Sequence, residues 1–528
     1  MISISFPRQD LGLASVSLKN YALSQEKVSD HWSFQISQYD LDTSTEKIFE
    51  DLSNIEIQIY GFTAYVWNME KTLEVAKKLK NKFPKRTIIL GGPEASGMGV
   101  DLLKNYNYID YGFFGEAEKS FSSFLLGENL TQVSGLIYRS NNGVVMNPEN
   151  LIRELDKLPL PYESEDYRSF LDNSPKPVRA AIETSRGCPF DCSYCTWGSI
   201  KMRYFNIEKL KPAFRYLFNH PNVASIYITD SNPFLKKDRS VELLEFIIAE
   251  NVNKKRVTFE LAPEFVTSDR VLELILELGN EEFAFGLQST SPKVLNQINR
   301  KFNPVLYKNN IDYLRKLKPE IEMWFSLILG LPGDNYYQFL DSTEFALSLK
   351  PTGIYFHELV GLPGSELNKN PELFGVTFMD EAPHFLIENE SFPKEQYNKA
   401  KFLSYHIYLF HRIIHLQDKI YEVNEENPKT PDVVNFFFDL HKEQTEQNTG
   451  SRIVDYYINF VEYLTDNLDC LNGKKINEIT SWQFEEKVNE FVKDSENLQR
   501  LDYLFESFKE KNEVSIWTPL SMLKTVKD

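Results

Sequence analysis

Short runs of β-forming residues alternate with helical patterns over residues 1–360 of this 528-residue chain. Strands joined by a crossover helix lie parallel, because a tight turn can only reverse the direction of the chain. Several of the runs end directly in glycine or polar residues, as is typical of strands that carry a binding site. The sequence therefore predicts an α/β fold with parallel sheets flanked by helices.

The first 150 residues predict a doubly wound, Rossmann-like domain. Ligands of such sheets bind at the carboxyl ends of the strands. Small or polar residues stand at three of these ends: Gly61-Phe62-Thr63, Gly91-Gly92-Pro93-Glu94 and Gly115-Glu116. They would let a large cofactor approach the backbone. The predicted strands are Ile2–Phe6, Trp32–Ser37, Ile55–Tyr60, Thr87–Leu90 and Tyr108–Phe113, and the clearest crossover helix is Met69–Lys82.

A second βα series begins at Val178. It follows a hairpin, which runs from Val133 to Tyr138 and turns at Asn141-Asn142-Gly143, and a proline-containing linker at 151–177. Its strand ends carry polar or glycine residues, as on the active-site face of a βα barrel, so residues 178–387 predict a partial (β/α)6 barrel. Helical patterns over 397–421, 453–468 and 484–508 predict a helical C-terminal domain at 388–528. The six predicted strands are Val178–Thr184, Ile226–Asp230, Val257–Leu261, Glu282–Leu287, Ile321–Leu329 and Gly353–Glu358.

The composition narrows the class of protein. With 42% hydrophobic and 25% charged residues, the chain has enough apolar material to fold. Its formal charge of −18 disfavours nucleic acid and anionic lipid surfaces as partners. The sequence has no apolar run long enough to span a membrane and no basic-then-apolar start, which predicts a cytoplasmic protein that does not enter the membrane.

Three of the four cysteines fall within eight residues, at Cys188, Cys192 and Cys195. Their C-x3-C-x2-C spacing suits three corners of an iron–sulfur cube, whose fourth iron stays open to a substrate or cofactor. Structural zinc is the alternative, but it takes four closed ligands. The remaining thiol, Cys470, lies in a different predicted domain and is interpreted as passive.

This motif resembles that of the radical S-adenosylmethionine (SAM) superfamily. The resemblance extends to Tyr194 before the last cysteine, to Glu183–Gly187 and to Thr196–Gly198 on either side. The downstream motifs Gly286-Leu287-Gln288-Ser289 and Leu329-Gly330-Leu331-Pro332-Gly333 also fit it. Together with Gly91–Glu94 and Gly115–Glu118, the sequence is similar to cobalamin-binding radical SAM enzymes over residues 1–370.

The resemblance implies that the three cysteines hold a [4Fe-4S] cluster whose open iron binds SAM. It places Tyr194 by the adenine, Gln288 or Ser289 near the ribose or methionyl part, and Gly330 to Gly333, with Pro332, beside the adenosine. The family often has glutamate where this chain has Gln288, so an amide would make that contact. A simple strand-end role for Gln288 stays open. Arg300 and Lys301 could meet the methionine carboxylate, but they are expected to be exposed charges at a helix end.

The same resemblance implies a cobalamin without a histidine ligand. Residues 1–150 contain one histidine, His31, outside the Asp-x-His-x-x-Gly pattern that supplies imidazole to cobalt in many cobalamin domains. Radical cobalamin methylases commonly lack that pattern. Trp67 is placed to cover the lower face of the corrin, although a semi-buried core tryptophan is the alternative, as is a tight turn for Gly91 and Gly92. The candidate cobalamin residues are Thr63, Trp67, Gly91, Gly92, Glu94, Gly115 and Glu116.

The resemblance thus implies a cobalamin-dependent radical SAM methyltransferase acting on an unactivated carbon of a small metabolite or peptide. An electron donor such as flavodoxin or ferredoxin would be its partner. A rearrangement or cyclisation with the same cofactors is the alternative. A cobalamin sensor would need only the first 150 residues, which the intact cysteine motif argues against. His411 and His415 share a helix face but are interpreted as packed or surface histidines.

Overall fold

A computed structural model describes residues 1–5, 11–197, 200–266, 268–279, 282–415 and 454. The chain divides into two compact units. Unit 1 takes Met1–Leu261, Phe265–Asn280 and Val360–Ile387, and unit 2 takes Ala262–Glu264, Glu281–Leu359 and the chain from Glu388. Both contain parallel strands joined by helices, which confirms the predicted α/β class.

Unit 1 begins with a seven-stranded sheet in the order β2-β1-β3-β4-β5-β6-β7, here called the N-terminal sheet. Its strands β1 to β5 pair in parallel, and β6 and β7 complete it as an antiparallel hairpin. The strands are β1 (Ile2–Ser5), β2 (Ser37–Asp40), β3 (Ile59–Thr63), β4 (Thr87–Gly91), β5 (Tyr111–Phe113), β6 (Leu136–Ser140) and β7 (Gly143–Met146). The helices are α1 (Leu13–Leu23), α2 (Glu26–Ser29), α3 (Thr45–Ser53), α4 (Met69–Lys82), α5 (Pro93–Met98), α6 (Asp101–Asn105) and α7 (Glu118–Leu125).

Helices cover both faces of this sheet, as the doubly wound prediction requires. Helix α4 has the predicted bounds, because Val75, Ala76 and Leu79 repeat at helical spacing and are all buried. They pack with α3 on one face of β1, β3 and β4. Residues of α1, α2 and α7 pack on the other face, against Ile89 and Phe113.

Two predicted strands are displaced. The run at 32–37 lies mostly before β2, because its aromatic residues pack into the core. Trp32 Nε1 donates to Leu125 O at 3.0 Å, and the centroid of the Phe34 ring lies 6.3 Å from that of Phe121. Strand β3 lies later than the predicted 55–60 and contains Gly61 and Thr63, which were expected beyond the strand end. Their pairing with β4 extends the strand.

Unit 1 continues through α8 (Glu165–Asn173), a helix within the predicted linker. A three-stranded parallel sheet follows in the order β12-β11-β8, together with the antiparallel pair β9 and β10. The elements are β8 (Val178–Ile182), β9 (Ser185–Arg186), β10 (Arg203–Tyr204), α9 (Ile207–Asn219), β11 (Val223–Ile228), α10 (Lys237–Glu250), β12 (Arg256–Phe259) and α11 (Asp269–Glu277).

Unit 2 contains a second three-stranded parallel sheet, β13-β14-β15, so all six strands predicted after residue 178 are present. Its elements are β13 (Glu282–Gln288), α12 (Pro292–Gln297), α13 (Pro304–Leu317), β14 (Glu322–Leu329), α14 (Tyr336–Ser348) and β15 (Gly353–Glu358). The chain then forms α15 (Glu366–Lys369), β16 (Val376–Phe378), β17 (Leu386–Asn389) and α16 (Lys394–His415).

Helix α16 overlaps the start of the predicted C-terminal helices. His411 on it is buried, with Nδ1 3.1 Å from Thr352 O, which confirms a packed histidine. The predicted helix at 484–508 and Cys470 lie outside the described residues, as do nearly all of 453–468 and the end of 397–421. Within the described ranges, no helix is both long and apolar enough to cross a lipid bilayer.

Candidate functional site

The three motif cysteines lie in one loop whose base is closed by β9 and β10. Its described residues, 187–197 and 200–202, are here called the cysteine loop. Arg186 and Arg203 stand opposite each other in this short antiparallel ladder. Just inside it, Cys188 N donates to Ile200 O at 3.0 Å. Gly187 has φ +97°, and a Cβ there would lie 2.5 Å from Ile200 O, so only glycine permits this closure.

The three thiols of this loop are free. Cys188, Cys192 and Cys195 are half-buried, and none forms a disulfide. Each corner of a [4Fe-4S] cube takes its own thiolate, so the three need not meet at one point. No set of three or more His, Cys, Asp or Glu side chains in the described part of the chain converges on a single ion. Tyr194 is half-buried in the same loop.

Asp230, just beyond β11, holds the chain that leads into the cysteine loop. Its carboxylate accepts hydrogen bonds from Thr184 N at 2.8 Å, Thr184 Oγ1 at 2.6 Å and Ser185 Oγ at 2.6 Å. Arg239 donates to Thr184 O at 3.0 Å from the same side. Burial raises the pKa of Asp230, and the hydrogen bonds oppose that shift. The backbone before the cysteines is therefore fixed by a fully buried network.

A cavity of about 550 Å³ lies within unit 1. On one side it meets the carboxyl ends of β3, β4 and β5, with Gly61, Thr63 and Gly91 among its lining residues. On the other side it meets β8 and β11 and reaches Arg186 at the base of the cysteine loop. The predicted edge of the N-terminal sheet therefore opens into a space that extends to Arg186, two residues before the first motif cysteine.

The glycines at this edge have two different roles. A Cβ on Gly61 or Gly91 would find no heavy atom closer than 3.9 Å and would simply fill the cavity. Gly92 has φ +105°, and a Cβ there would lie 2.6 Å from Ala64 O. Gly115 has φ +73°, and its Cβ would lie 1.9 Å from Glu149 Oε1. Gly61 and Gly91 thus leave room for a ligand, whereas Gly92 and Gly115 permit the fold of their own turns.

Two features of the lining fit a corrin ring, which is flat and carries polar side groups. Trp67 is 42% exposed, so it is not a core residue, and it stacks on Tyr65 with ring centroids 4.5 Å apart and 10° between planes. Both aromatic residues line the cavity, and burial raises the pKa of Tyr65. Thr63 Oγ1 is buried there without a hydrogen-bond partner among the described residues. It is a polar group that a ligand can satisfy.

No histidine occurs among the described residues that line the cavity. His31 is exposed, and His384, which sequence analysis did not consider, is buried beside Glu94. Its Nε2 lies 3.2 Å from Glu94 Oε2, and its Nδ1 lies 3.1 Å from Met379 O. Burial lowers the pKa of His384, but Glu94 outweighs it and the pKa is raised. Glu94, a candidate cofactor residue, is therefore engaged by an imidazole.

Glu116, another candidate cofactor residue, lines the cavity but is bound by arginine. Its carboxylate accepts two hydrogen bonds from Arg203, at 2.6 and 2.9 Å, and one from Ile152 N at 3.1 Å. Burial raises the pKa of Glu116, but Arg203 and Arg186 together outweigh it and the pKa is lowered. The structure thus keeps this carboxylate as a fixed anion.

The face of β8 and β11 toward the cavity is polar, which sequence analysis missed. The Arg179 guanidinium lies 4.1 Å from the Tyr227 ring centroid and donates to Thr258 Oγ1 at 3.1 Å. Tyr227 OH donates to Glu260 at 3.3 Å, and burial raises the pKa of Tyr227 to about 12. Alternation along the strand could have found these residues, since Arg179, Ala181 and Glu183 share one face.

Unit 2 carries the remaining motif residues. Gln288 has φ +63°, and its side chain folds over Gly286, where a Cβ would lie 2.9 Å from Gln288 Nε2. Its Oε1 is buried and has no hydrogen-bond partner among the described residues, so it is an acceptor suited to a ribose hydroxyl. Ser289 Oγ instead accepts from Ser291 N at 3.2 Å, within a turn. In the last motif, Pro332 is buried and the Gly330 carbonyl accepts from Asn389 Nδ2 at 2.9 Å.

Arg300 does not lie at an exposed helix end, contrary to the prediction. Its side chain is 10% exposed, and Nη2 lies 3.5 Å from Glu264 Oε1 and 3.3 Å from Gly286 O. Burial raises the pKa of Glu264 to about 7, with Arg300 opposing the shift. No local sequence pattern signals this pair, because its members are 36 positions apart and belong to different local patterns.

Two family models match the chain. The Radical SAM superfamily model matches residues 182–346, and the B12 binding domain model matches residues 26–125. The first range contains the cysteine loop and both downstream motifs. The second contains Thr63, Trp67 and the glycines at the edge of the N-terminal sheet.

Two curated relatives align with about 70% of the chain. The cobalamin-dependent radical SAM methyltransferase TokK of Streptomyces tokunonensis is 27% identical over 387 residues, covering 68% of this chain and 54% of TokK. The 2-(S-pantetheinyl)-carbapenam-3-carboxylate methyltransferase of Streptantibioticus cattleyicolor is 24% identical over 416 residues, covering 73% of this chain and 58% of that protein. The chain therefore spans little more than half the length of these relatives.

A solved structure has a similar fold along most of the chain. It is the cobalamin-dependent SAM radical enzyme OxsB with aqua-cobalamin and SAM bound, with a TM-score of 0.64 and 14% identity. The match covers 96% of this chain and 84% of OxsB. At this identity the likeness concerns the fold.

Proposed function

We propose that this chain, which combines a radical SAM domain with a B12-binding domain, is a cobalamin-dependent radical SAM methyltransferase. Its cofactors are a [4Fe-4S] cluster, SAM and cobalamin. The observation that carries the proposal is the cavity of unit 1, which extends from the open glycine edge to the base of the cysteine loop. A reaction that uses two cofactors on one substrate needs both beside a shared space.

When bound, SAM on the cluster supplies a radical that removes a substrate hydrogen, and cobalamin supplies the methyl group. The chain's own residues hold and orient these groups. Cys188, Cys192 and Cys195 would hold the cluster, on a loop whose entry is fixed by Asp230. Gly61 and Gly91 keep the sheet edge open, and the Trp67 ring would exclude water from one face of the corrin.

We infer further that the substrate is a small molecule with a carboxylate. Arg179, whose guanidinium stacks on Tyr227 and donates to Thr258, holds a positive charge on the cavity wall, and such a charge favours an anionic substrate. The carbapenam methyltransferase relative acts, by its name, on a carboxylate. We expect flavodoxin or ferredoxin to supply the electron, in the cytoplasm and without a nucleic-acid partner.

Product analysis tests the reaction class. Anaerobically reconstituted protein is incubated with SAM, reductant and a panel of small carboxylic acids, each paired with its amide. S-adenosylhomocysteine and 5′-deoxyadenosine should both accumulate with an acid that gains one methyl group. If 5′-deoxyadenosine appears alone with a rearranged or cyclised product, the non-methylating alternative replaces this proposal.

The same panel tests the substrate class. Arg179→Gln should lower the preference for the acid over its amide by about 10- to 100-fold, the loss typical of a charged hydrogen-bonded pair. Arg179→Lys should keep part of it. An unchanged preference would argue against the carboxylate, and weaker cobalamin binding in Arg179→Gln would instead assign Arg179 to the cofactor.

A further inference from the structure

Both arginines of the β9–β10 ladder extend from the base of the cysteine loop to the N-terminal sheet. They are register partners: Arg186 directly precedes the loop, and Arg203 directly follows it. Arg203 makes two parallel hydrogen bonds to Glu116, at 2.6 and 2.9 Å. Arg186 donates to Glu118 Oε1 at 2.7 Å, and its Nη1 lies 3.8 Å from Glu116 Oε2.

The two glutamates stand where β5 ends and α7 begins, 68 to 87 residues before their arginine partners in the sequence. All four side chains are largely buried, with exposed fractions of 14% for Arg186, 11% for Arg203, 15% for Glu116 and 6% for Glu118. Paired charges that are shielded from water interact much more strongly than surface pairs. This set, here called the arginine clamp, therefore ties the cysteine loop to the edge of the sheet.

Three members of the clamp, Arg186, Glu116 and Glu118, also line the cavity. A ligand that fills the cavity removes water from their open side and so lowers the local dielectric. The ion pairs then strengthen, and the ladder they hold becomes harder to open. Neither carboxylate needs to touch the ligand for this effect.

We propose that the arginine clamp couples occupancy of the B12-binding cavity to the conformation of the cysteine loop. Its four members are positioning residues: cobalamin stiffens the loop that receives the cluster, and a loaded loop tightens the cobalamin site. Such coupling is reciprocal, since each ligand must change the affinity of the other by the same factor. The inference rests on the proposed function only for the identity of the two ligands.

Hydrogen exchange on cluster-free protein tests the first half of the coupling, with hydroxocobalamin as the probe. Hydroxocobalamin should slow amide exchange in peptides covering residues 187–202 several-fold in the wild type. Glu116→Gln, which keeps the shape but removes the charge, should abolish this protection. Arg203→Lys, which keeps the charge but cannot make two parallel hydrogen bonds, should retain only part of it.

Cobalamin titration tests the reciprocal half. The Kd of hydroxocobalamin should be about tenfold lower in cluster-loaded than in cluster-free wild type, within the usual range for coupled sites. In Glu116→Gln the ratio of the two Kd values should approach one. If Glu116→Gln does not fold, Arg203→Lys should still give an intermediate ratio.

Lys80→Gln is the matched control. It breaks the Lys80–Asp110 pair, at 2.7 Å, which joins helix α4 to the residue before β5 and does not line the cavity. This variant should lose stability yet keep both the loop protection and the Kd ratio. A wild-type ratio of one, or a full ratio in Glu116→Gln and Arg203→Lys, would overturn the clamp alone. Protein that takes up iron but no cobalamin would overturn the proposed function as well.

Discussion

Unit 1 prepares two kinds of strand end in opposite ways. At the edge of the N-terminal sheet, Gly61 and Gly91 have no side chains, and the cavity occupies the space beside them. After β8, buried charged groups fix the backbone, with Asp230 before the cysteine loop and Arg186 and Arg203 at its base. A large rigid cofactor needs room, whereas a cluster held by three bonds needs ligands that stay in place. The two ends should therefore fail differently when altered.

The largest effect should come from the cysteine loop itself. Cys188→Ala, Cys192→Ala or Cys195→Ala should each abolish the site of about four irons and the formation of 5′-deoxyadenosine, because a cube held at two corners is not retained. Iron analysis and chromatography of the nucleoside measure both. Cys470→Ala should leave them intact. Formation of 5′-deoxyadenosine in any of the three variants would refute the cluster assignment.

Asp230→Ala should have the next largest effect. It leaves two hydroxyl donors and one amide donor buried and unpaired, and each costs roughly 1–3 kcal/mol, so the free energy of unfolding should fall by at least about 3 kcal/mol. Urea unfolding of the cluster-free protein measures this. Glu250→Gln, which breaks an exposed pair with Arg215 on the neighbouring helices, is the control and should change little. If Asp230→Ala and Glu250→Gln lost the same free energy of unfolding, Asp230 would be no more important to the fold than an exposed charge.

Two adjacent glycines at this edge should respond differently to alanine: Gly92→Ala should affect stability, and Gly91→Ala should affect cobalamin binding. Gly92→Ala should lower the free energy of unfolding by about 1–3 kcal/mol, because alanine is strained at its positive φ and meets Ala64 O. Gly91→Ala should unfold like the wild type but bind cobalamin about tenfold more weakly, a difference near 1.4 kcal/mol. Unfolding curves and cobalamin titrations measure the two. If Gly91→Ala binds cobalamin as tightly as the wild type does, Gly91 does not line the cobalamin site.

The smallest effect should concern cobalt. Since no described residue of the cavity wall is a histidine, the electron paramagnetic resonance spectrum of bound cob(II)alamin should show no nitrogen superhyperfine splitting from a protein imidazole. Trp67→Ala should admit water and slow methyl uptake a few-fold, with SAM cleavage as the internal reference. A nitrogen triplet that changes when the protein is labelled with ¹⁵N would contradict the first expectation. If Trp67→Ala lost methyl uptake and SAM cleavage together, Trp67 would have a structural role instead.

Local patterns predicted the elements whose stability is local. Helix α4 is amphipathic along its whole length and has the predicted bounds. The strand near Trp32 was wrong because a tertiary contact, its hydrogen bond to Leu125 O, outweighs the β propensity of the run. Gly61 was placed after a strand that in fact contains it, since glycine in a strand can mark an opening toward a ligand as well as an end.

The cysteine motif and strand-end glycines could be found from the sequence, because their spacing is short. The arginine clamp could not, since its partners lie 68 and 87 residues apart and their pairing depends on how the two sheets of unit 1 pack. The same holds for Arg300, whose burial beside Glu264 reverses the predicted exposure. Sequence patterns locate chemical groups, whereas long-range packing decides which of them remain available.

The hydrogen bond between Glu94 and His384 closes a loop of 290 residues. During translation, Glu94 leaves the ribosome long before its imidazole partner exists, and the entropy of closing a loop grows with its length. A nascent sheet would therefore leave this carboxylate open to water until the segment 360–387 arrives. Residues 1–150, cut from the gene as a separate piece, would lack the imidazole that packs on Glu94 and helps to bury it, so the B12-binding region should not behave as a portable module.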